Sequence, residues 1–418
     1  MVTKQAIYDE VDDRRGEIVS LLSSFLEIQT ENPPGNNYRE GASFLDTVLS
    51  KRGYDVELID VPENVVERHY PERSHLERVN VLGQKAFGDG PNIHYTGHYD
   101  VVPAGEDWTR NPFDPTIEGD RIYGRGASDM KSGIVASLFA IDVLEAVDAE
   151  LEGSVTQSMT VDEETGGFTG LGYLAHEGFL DGTDYCVYTE CFDSSRVCLG
   201  HRGVLKFKVV THGRKAHGCM AHDGINAVST MNDFLTRIEE YRTKLHQRTT
   251  DLPVTPSESQ RADISVTMMD AGYSENVVPD RCTATFYRVL VPTESVADVR
   301  NEIRELIGET EDSMDASLDY DEIMFAEPTN VSQDCKVSQT FARNVDSFHG
   351  NTEFVISPGS DDQRFVVNDA GIDQCIVYGP GRLEQAHVED EYASIEDILT
   401  AIKVMAVSTA QLIGDMDE

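Results

Sequence analysis

Hydrophobic positions recur along the first 200 residues with two periods that alternate. Apolar residues at helical spacing occupy residues 7–26, 39–52, 134–144 and 171–177. Short apolar runs, which are typical of strands, occupy residues 56–59, 79–82, 93–96, 154–161 and 185–189. Because strands and helices alternate, we expect right-handed crossovers and a mostly parallel mixed sheet flanked by helices. The pattern therefore predicts an α/β fold for this part of the chain.

The pattern changes near residue 201. Half-exposed strands are indicated at residues 204–211, 263–269 and 284–290, and amphipathic helices at residues 226–245 and 295–307. We interpret residues 201–312 as a smaller α+β domain inserted into the first, with the acidic stretch 308–321 as the return linker. Helix and strand patterns then resume, so residues 1–200 and 313–418 are predicted to form the larger domain.

The charge balance narrows the classes of partner. Lys and Arg number 34 and Asp and Glu 75, so the net charge is 34 − 75 = −41. Such a chain is repelled by nucleic acid and by anionic membranes, which we exclude as main partners. Hydrophobic residues make up 39% of the chain, which favours a packed fold over disorder. The acidity is spread along the chain and is typical of a halophilic protein, with an ordinary acidic protein as the alternative.

The cysteines and the N-terminal region indicate the compartment. The seven cysteines are odd in number and lack C-x-x-C spacing, so a disulfide framework is not expected and a reducing cytoplasm fits. The chain opens with a charged amphipathic pattern, and no apolar run reaches 18 residues. We therefore predict a cytoplasmic protein without a membrane partner.

Acidic and imidazole side chains follow three of the predicted strands. His98 follows the strand at residues 93–96, Glu163 and Glu164 follow the strand at 154–161, and Glu190 follows the strand at 185–189. Ligands gather at the carboxyl ends of parallel strands, so we expect these residues to share one site. Imidazole nitrogen and carboxylate oxygen suit zinc, cobalt or manganese. In the pair Glu163–Glu164, one carboxylate can bind metal while the other serves as a general base.

Two further residues complete a candidate two-metal site. Asp129 lies in the loop GRGASD before the predicted helix at 134–144, and His387 lies in a Gly/Pro-rich loop after an apolar run. Either residue alone would more often be an ordinary surface group. Together with the strand-end residues, they supply the ligands that a two-metal site needs.

Several motifs then carry a resemblance to a known family. They are TENPPG (30–35), GHYDVVP (97–103), W-x-x-x-PF (108–113), GRGASDMKSG (124–133), DEETGG (162–167), TE (189–190), HGRKAHGCMAHDGINA (212–227), ENVVPD (275–280) and AH (386–387). In this order and over almost the whole chain, they resemble the dinuclear zinc hydrolases. That family includes acetylornithine deacetylase, succinyl-diaminopimelate desuccinylase, aminoacylases, glutamate carboxypeptidase and related dipeptidases.

The resemblance implies roles for the candidate residues. His98 and Glu190 would bind one metal ion, Glu164 and His387 the other, and Asp129 would bridge the two. Asp100 would orient His98. Glu163 would be the general base, taking the proton of a water that the two metals activate. His217 of the inserted domain would stabilise the oxyanion in the neighbouring active site of a homodimer formed through that domain.

The resemblance also implies a substrate class. Arg202, Asn276, Arg288, Gly359 and Ser360 are candidate substrate contacts, and for each arginine a surface ion pair is the alternative. We expect an enzyme of amino-acid metabolism that deacylates an N-acyl amino acid of the acetylornithine or succinyl-diaminopimelate kind, using two metal ions, zinc first and cobalt or manganese otherwise. The alternatives are a carboxypeptidase or dipeptidase, and a deformylase or carbamoyl hydrolase. A non-catalytic binding protein is disfavoured because all five ligands and Glu163 are present.

Overall fold

The computed structural model describes residues 2–416, and the chain divides into two compact units. Unit 1 contains the described residues of Met1–Gly200, Val331–Val355 and Asp362–Glu418. Unit 2 contains His201–Asn330 and Ile356–Asp361. The expected domain end at residue 312 thus falls inside unit 2.

The helices, in chain order, are α1 (Lys4–Asp13), α2 (Arg15–Leu26), α3 (Tyr38–Lys51), α4 (Glu63–His69), α5 (Lys131–Ala146), α6 (Leu171–His176), α7 (Ala227–Leu245), α8 (Val296–Met314), α9 (Lys336–His349) and α10 (Ile395–Ile413). Short 3₁₀ helices lie at Pro71–Arg73, Glu163–Thr165, Gly218–Asp223, Ser257–Ser259 and Leu383–Gln385, and a π-helical turn lies at Phe365–Asp369. Within the described part of the chain, none of the helices is long and apolar enough to cross a bilayer.

The strands are β1 (Asp55–Asp60), β2 (Val79–Ala86), β3 (Asn92–His98), β4 (Thr116–Glu118), β5 (Arg121–Tyr123), β6 (Ser154–Thr160), β7 (Tyr185–Tyr188), β8 (Arg196–His201), β9 (Gly203–His212), β10 (Asp263–Ala271), β11 (Arg281–Leu290), β12 (Leu318–Ala326), β13 (Thr329–Asn330), β14 (Glu353–Ser357), β15 (Cys375–Val377) and β16 (Tyr392–Ser394).

The main sheet of unit 1 has a parallel centre and antiparallel flanks. Its strands follow the order β1-β2-β6-β3-β7-β15-β8, and β14 pairs with β8. β3 runs parallel to both β6 and β7, and β15 runs parallel to β7. On the flanks, β1 and β2 pair antiparallel, as do β2 and β6. The expected α/β fold with a mixed sheet is confirmed, and the carboxyl ends of β3, β6 and β7 meet at one edge.

Helix α5 packs directly against the strand end that carries Glu190. It has no charged residue between Gly133 and Ile141, and that whole stretch is buried, as a helix covered on all sides requires. A Cβ atom on Gly133 would lie 1.8 Å from the backbone oxygen of Thr189. Glycine is therefore required there, because any side chain would push the helix away from this edge of the sheet.

The long helix expected over residues 7–26 is two helices, because α1 ends at Asp13 and α2 begins at Arg15. The break falls in a polar run, residues 12–16, that has no apolar side chain to bury. Each helix buries its own apolar face, with Ile7 and Val11 on α1 and Ile18 and Leu22 on α2.

Unit 2 is an α+β unit built on a four-stranded antiparallel sheet. The strands follow the order β10-β11-β9-β12, and α7 and α8 supply apolar residues to its core. The ring of Phe207 on β9 stacks on Phe286 of β11 at 5.0 Å, and Phe234 of α7 meets Phe286 edge-on at 5.6 Å.

The linker expected over residues 308–321 is instead regular structure. Helix α8 continues to Met314, and β12 begins at Leu318 and pairs with β9. Ile307 and Thr310 keep the inner face of α8 buried, while its acidic residues lie on the other face. The acidity that suggested a linker therefore belongs to exposed faces, and unit 2 extends to Asn330.

Candidate metal centre

The buried imidazole of His98 lies at the end of β3 among four carboxylates. Its Nε2 atom is 3.1 Å from Asp129 Oδ1 and 3.3 Å from Glu190 Oε2. Its Nδ1 atom is 3.0 Å from the backbone oxygen of Asp100 and 3.4 Å from that residue's carboxylate. A backbone oxygen can only accept, so this contact favours the proton on Nδ1 and leaves Nε2 as the ligand atom.

His387 occupies the corresponding place on the other side of Asp129. Its Nε2 atom is 3.2 Å from Asp129 Oδ2 and 3.0 Å from Glu164 Oε2. The imidazole is about half-exposed, and its residue has a left-handed backbone with φ 62°. Asp129 therefore directs one carboxylate oxygen to each histidine, which is the geometry of a carboxylate that bridges two positions.

The donor set fits divalent cations. The ligand atoms of His98, Asp129 and Glu164 lie within 4.8 Å of one another. Glu164 Oε1 is buried and, among the described residues, has no hydrogen-bond partner. A buried carboxylate oxygen without a partner is costly unless a cation balances it. This orphaned oxygen and the converging carboxylates and imidazoles suit two oxygen- and nitrogen-ligated metal ions.

The pKa shifts show how the ligands share charge. Burial raises the pKa of Glu164 to about 7. Hydrogen bonds to Asp129 and Glu164 raise the pKa of His387 to about 11. Burial raises the pKa of Glu163 well above its usual range, against the opposing charge of His98, and the carboxylates of Asp362 and Glu164 add to the rise. Metal ions compete with these protons, because ligands bind in their deprotonated forms.

Asp100 connects His98 to the loop that carries the two glutamates. It is fully buried, and its Oδ1 and Oδ2 atoms accept hydrogen bonds from the backbone N–H groups of Glu163 and Glu164, each at 3.3 Å. Its position beside His98 Nδ1 agrees with the predicted orienting contact, and the two backbone contacts go beyond that prediction.

Sequence reasoning missed the groups behind Asp100. Asn32 Nδ2 donates to Asp100 Oδ2 at 2.9 Å and lies 3.1 Å from Asp162 Oδ1. Asp162 in turn accepts hydrogen bonds from Arg78 and from Tyr38, and both members of its ion pair with Arg78 have fully buried side chains. The available signal was that Asn32 and Asp162 belong to the motifs TENPPG and DEETGG.

Sequence reasoning also missed the anchor of Asp129. Glu391 is fully buried, and its Oε1 atom accepts hydrogen bonds from the backbone N–H groups of Ser128 and Asp129, at 2.8 and 3.1 Å. Its Oε2 atom accepts from Arg125 Nη1 at 2.7 Å. Glu391 lies four positions after His387, in an acidic stretch that looks like surface in the sequence.

The chain matches a known family along most of its length. Residues 94–410 match peptidase family M20/M25/M40. The chain belongs to this family. It is 27% identical to a probable succinyl-diaminopimelate desuccinylase of Staphylococcus epidermidis, over 92% of this chain and 95% of that protein. It is 30% identical to a succinyl-diaminopimelate desuccinylase of a Wolbachia species, over 65% of this chain and 63% of that protein.

Two solved structures of other proteins have the same fold. A di-peptidase of Saccharomyces cerevisiae has a TM-score of 0.78 at 16% identity, covering 97% of this chain and 98% of that one. An M20 metallo-carboxypeptidase of Sulfolobus solfataricus has a TM-score of 0.76 at 20% identity, covering 94% and 98%. The expected family and fold are confirmed, and the chain is a metal-dependent hydrolase of amide bonds.

The candidate substrate residues of this M20 protein and the candidate oxyanion donor His217 lie in unit 2, and all of them except Arg288 form two groups. Exposed His217 and Asn276 are neighbours, because Gly218 N–H donates to the Asn276 backbone oxygen at 2.7 Å. Arg202 lies beside the loop of Gly359 and Ser360, because its Nε atom donates to the preceding residue, Pro358, at 2.9 Å.

Both candidate arginines bind oxygen atoms of unit 2. Besides Pro358, the guanidinium of Arg202 donates to the backbone oxygen of Ser259 at 2.9 Å, and the residue is 8% exposed. Arg288 is fully buried and ion-paired with Glu294. The surface ion pair that was the alternative therefore does not describe either residue. Their donors bind protein oxygens, and the structure lends no support to the expected contact with a substrate carboxylate.

Proposed function

We propose that this M20 enzyme removes the acyl group from an N-acyl amino acid with two divalent metal ions, zinc first and cobalt or manganese otherwise. The observation that carries the two-metal part is the position of Asp129 between His98 and His387, with one carboxylate oxygen toward each. The deacylase part is supported by relatives named desuccinylases that align along 92% of this chain.

The proposed ligand sets follow from these contacts. His98 and Glu190 hold one ion, Glu164 and His387 hold the other, and Asp129 bridges them. When bound, the two ions would polarise the amide carbonyl and lower the pKa of a water molecule between them. The contacts of Asp100 with His98 and with the Glu163–Glu164 backbone fix the position of His98 relative to the two glutamates.

Glu163 is the proposed general base. Its Oε2 atom lies 4.0 Å from His98 Nε2, so its carboxylate faces the site while neighbouring Glu164 binds His387. Glu163 takes a proton from the attacking water and returns it to the nitrogen of the leaving amine. A buried carboxylate with a raised pKa suits this exchange, because it can hold the proton between the two steps.

His217 is the proposed oxyanion donor, contributed to the active site of a second copy of the chain. The homodimer would form through β10, which lies at one edge of the unit 2 sheet and exposes Val266, Met268 and Met269. An apolar edge strand is a surface that another chain can cover by strand pairing. Sedimentation in high salt tests this. A monomer with full activity would rule out a role for His217 in a partner's site.

Asn276 and the loop of Gly359 and Ser360 remain the proposed substrate contacts. For Arg202 we propose a supporting role, holding that loop through Pro358. Replacing Arg202 by Met should then weaken substrate binding only through loss of order in the loop. If Arg202→Lys restored binding of a substrate carboxylate in full, direct recognition would be the better account, because lysine cannot reproduce the several backbone contacts.

The test of the function is a substrate panel. The zinc- or cobalt-loaded protein is assayed in multimolar salt, as suits the −41 charge of a cytoplasmic, halophilic protein, against N-acetylornithine, N-succinyl-diaminopimelate, other N-acyl amino acids and dipeptides. Preference for an N-acyl amino acid is the expected result. Preference for dipeptides would place the enzyme with the peptidases of the family, and absence of turnover on every substrate would refute the deacylase proposal.

A further inference from the structure

A buried thiol lies against the metal centre. Cys191 directly follows Glu190 and is 1% exposed. The ligand atoms of Asp129, Glu190 and Cys191 lie within 4.8 Å of one another, and all three residues are buried. This spacing makes the sulfur atom and one carboxylate oxygen of each acid a candidate group of metal ligands.

The contacts of Glu190, the residue next to this thiol, place its carboxylate on the His98 side of the centre. Glu190 Oε1 accepts a hydrogen bond from the backbone N–H of Cys191 at 3.0 Å, so that oxygen is held toward the main chain. Glu190 Oε2 is the oxygen that lies 3.3 Å from His98 Nε2. At the other metal position, the carboxylate that contacts His387 is Glu164.

The other cysteines have different surroundings. Cys186, Cys198 and Cys375 belong to a hydrophobic cluster of unit 1. Cys219 is exposed, and its sulfur lies 3.1 Å from His217 Nδ1. Within residues 2–416, Cys191 is the cysteine that forms a candidate metal-ligand group with carboxylates. A second observation points to a cation at the same centre, namely the partnerless, buried Oε1 atom of Glu164.

We propose that Cys191 is a sulfur ligand of the metal ion that His98, Asp129 and Glu190 hold. This inference rests on the two-metal centre proposed above. On binding, the S–H bond breaks, a sulfur–metal bond forms and the proton passes to solvent. Thiolate favours zinc and cobalt over manganese and magnesium, whereas the Glu164–His387 position offers only oxygen and nitrogen. The two positions should therefore differ in metal preference.

Cobalt titration of the metal-free protein tests the proposal with a signal that does not depend on turnover. The wild type should show visible ligand-field bands, which report binding, and a near-ultraviolet sulfur-to-cobalt charge-transfer band. Cys191→Ser should lose the charge-transfer band, keep ligand-field bands and lose at least about tenfold in its preference for cobalt over manganese. Cys219→Ser is the matched control and should keep the band.

The outcomes separate this proposal from the function on which it rests. Cobalt binding without a charge-transfer band, or a band that persists in Cys191→Ser, would overturn the sulfur ligand and leave the metal centre standing. Failure of the wild type to bind cobalt would instead overturn the centre itself. If Cys191→Ser does not fold, X-ray absorption of the zinc-loaded wild type decides: a sulfur scatterer at about 2.3 Å supports the proposal, and purely nitrogen and oxygen scattering refutes it.

Discussion

Replacement of Glu391 by glutamine tests how the chain holds the carboxylate of Asp129, the proposed bridge between the two metal ions. The three groups that contact Glu391 are all donors: the backbone N–H groups of Ser128 and Asp129, and Arg125 Nη1. Glutamine has the same shape but exchanges one acceptor oxygen for a donor NH₂ group. Whichever way the amide is turned, its NH₂ group faces either Arg125 or the two backbone donors.

The magnitude follows from burial. Arg125 is 2% exposed, so loss of the Glu391 charge leaves a buried cation without its partner. Breaking a buried ion pair from one side costs about 3–5 kcal/mol. Arg125 keeps a hydrogen bond to the Val388 backbone oxygen at 3.1 Å, so we expect Glu391→Gln to lower the free energy of unfolding by about 3–4 kcal/mol. Metal affinity should fall by about 10–100-fold, because Asp129 loses a backbone anchor.

The assay combines two measurements. Urea unfolding in high salt with a chelator present gives the stability of the metal-free chain, and competition with a chromophoric chelator gives the metal affinity. The control is Glu389→Gln, two positions earlier, where the side chain is exposed. A stability loss below about 1 kcal/mol with unchanged metal affinity would refute the anchoring argument. A large stability loss with unchanged affinity would show that Glu391 supports the fold and not the position of Asp129.

Three further predictions concern protons and the general base. Glu163→Gln should lower kcat by at least about 100-fold while two metal ions per chain remain bound in elemental analysis; retained turnover would reject Glu163 as the base. Metal binding at pH 7 should release protons, because His387, with a pKa of about 11, must lose one; calorimetry in buffers of different ionisation heat measures the number, and zero would contradict it. Burial lowers the pKa of His94 to about 4 from 6.5, so the unfolded chain binds a proton that the folded chain refuses between these values. The contribution of His94 to the free energy of unfolding should therefore fall by about 3 kcal/mol as pH drops from 6.5 to 4. Urea unfolding across this range should show a shallower loss of stability in His94→Gln than in the wild type, and equal losses in both would contradict the prediction.

The sequence predicted those parts of the site that local rules govern. Strand ends in a parallel sheet meet at one edge, so His98, Glu164 and Glu190 could be grouped from the chain pattern alone. Asn32 and Glu391 could not be placed, because each acts through a contact with residues far away along the chain. Their partners are set by the packing of the folded unit and not by spacing.

The prediction of a linker and the prediction of arginine contacts with substrate both depended on side-chain direction, which residue type does not give. An acidic stretch looks like a linker in the sequence, yet α8 carries its acids on an exposed face and buries Ile307 and Thr310 on the other. An arginine looks like a binding group, yet Arg202 and Arg288 donate to oxygens of their own unit. For the acids of α8 and for the two arginines, the sequence shows that the residues are polar. The direction of each side chain in the folded unit then determines what it contacts.

Two sets of buried acids in unit 1 differ in what balances their charge. Asp162 pairs with Arg78 and Glu391 pairs with Arg125. An arginine does not give up its proton in a protein, so each of these carboxylates always has a charged partner. They can position the site, but their charge is already balanced and is not available to a metal ion.

The acids at the strand ends pair with imidazoles instead. Asp129 contacts both His98 and His387, Glu164 contacts His387, and Glu190 contacts His98. A histidine can lose its proton and become a neutral ligand, so a divalent ion can take over the balancing charge without leaving any buried carboxylate unpaired. An arginine in place of either histidine would balance the carboxylates equally well without metal, but it could not lose its proton and let a metal ion take over that charge. The presence of histidine, more than the number of acids, therefore makes this cluster a metal centre.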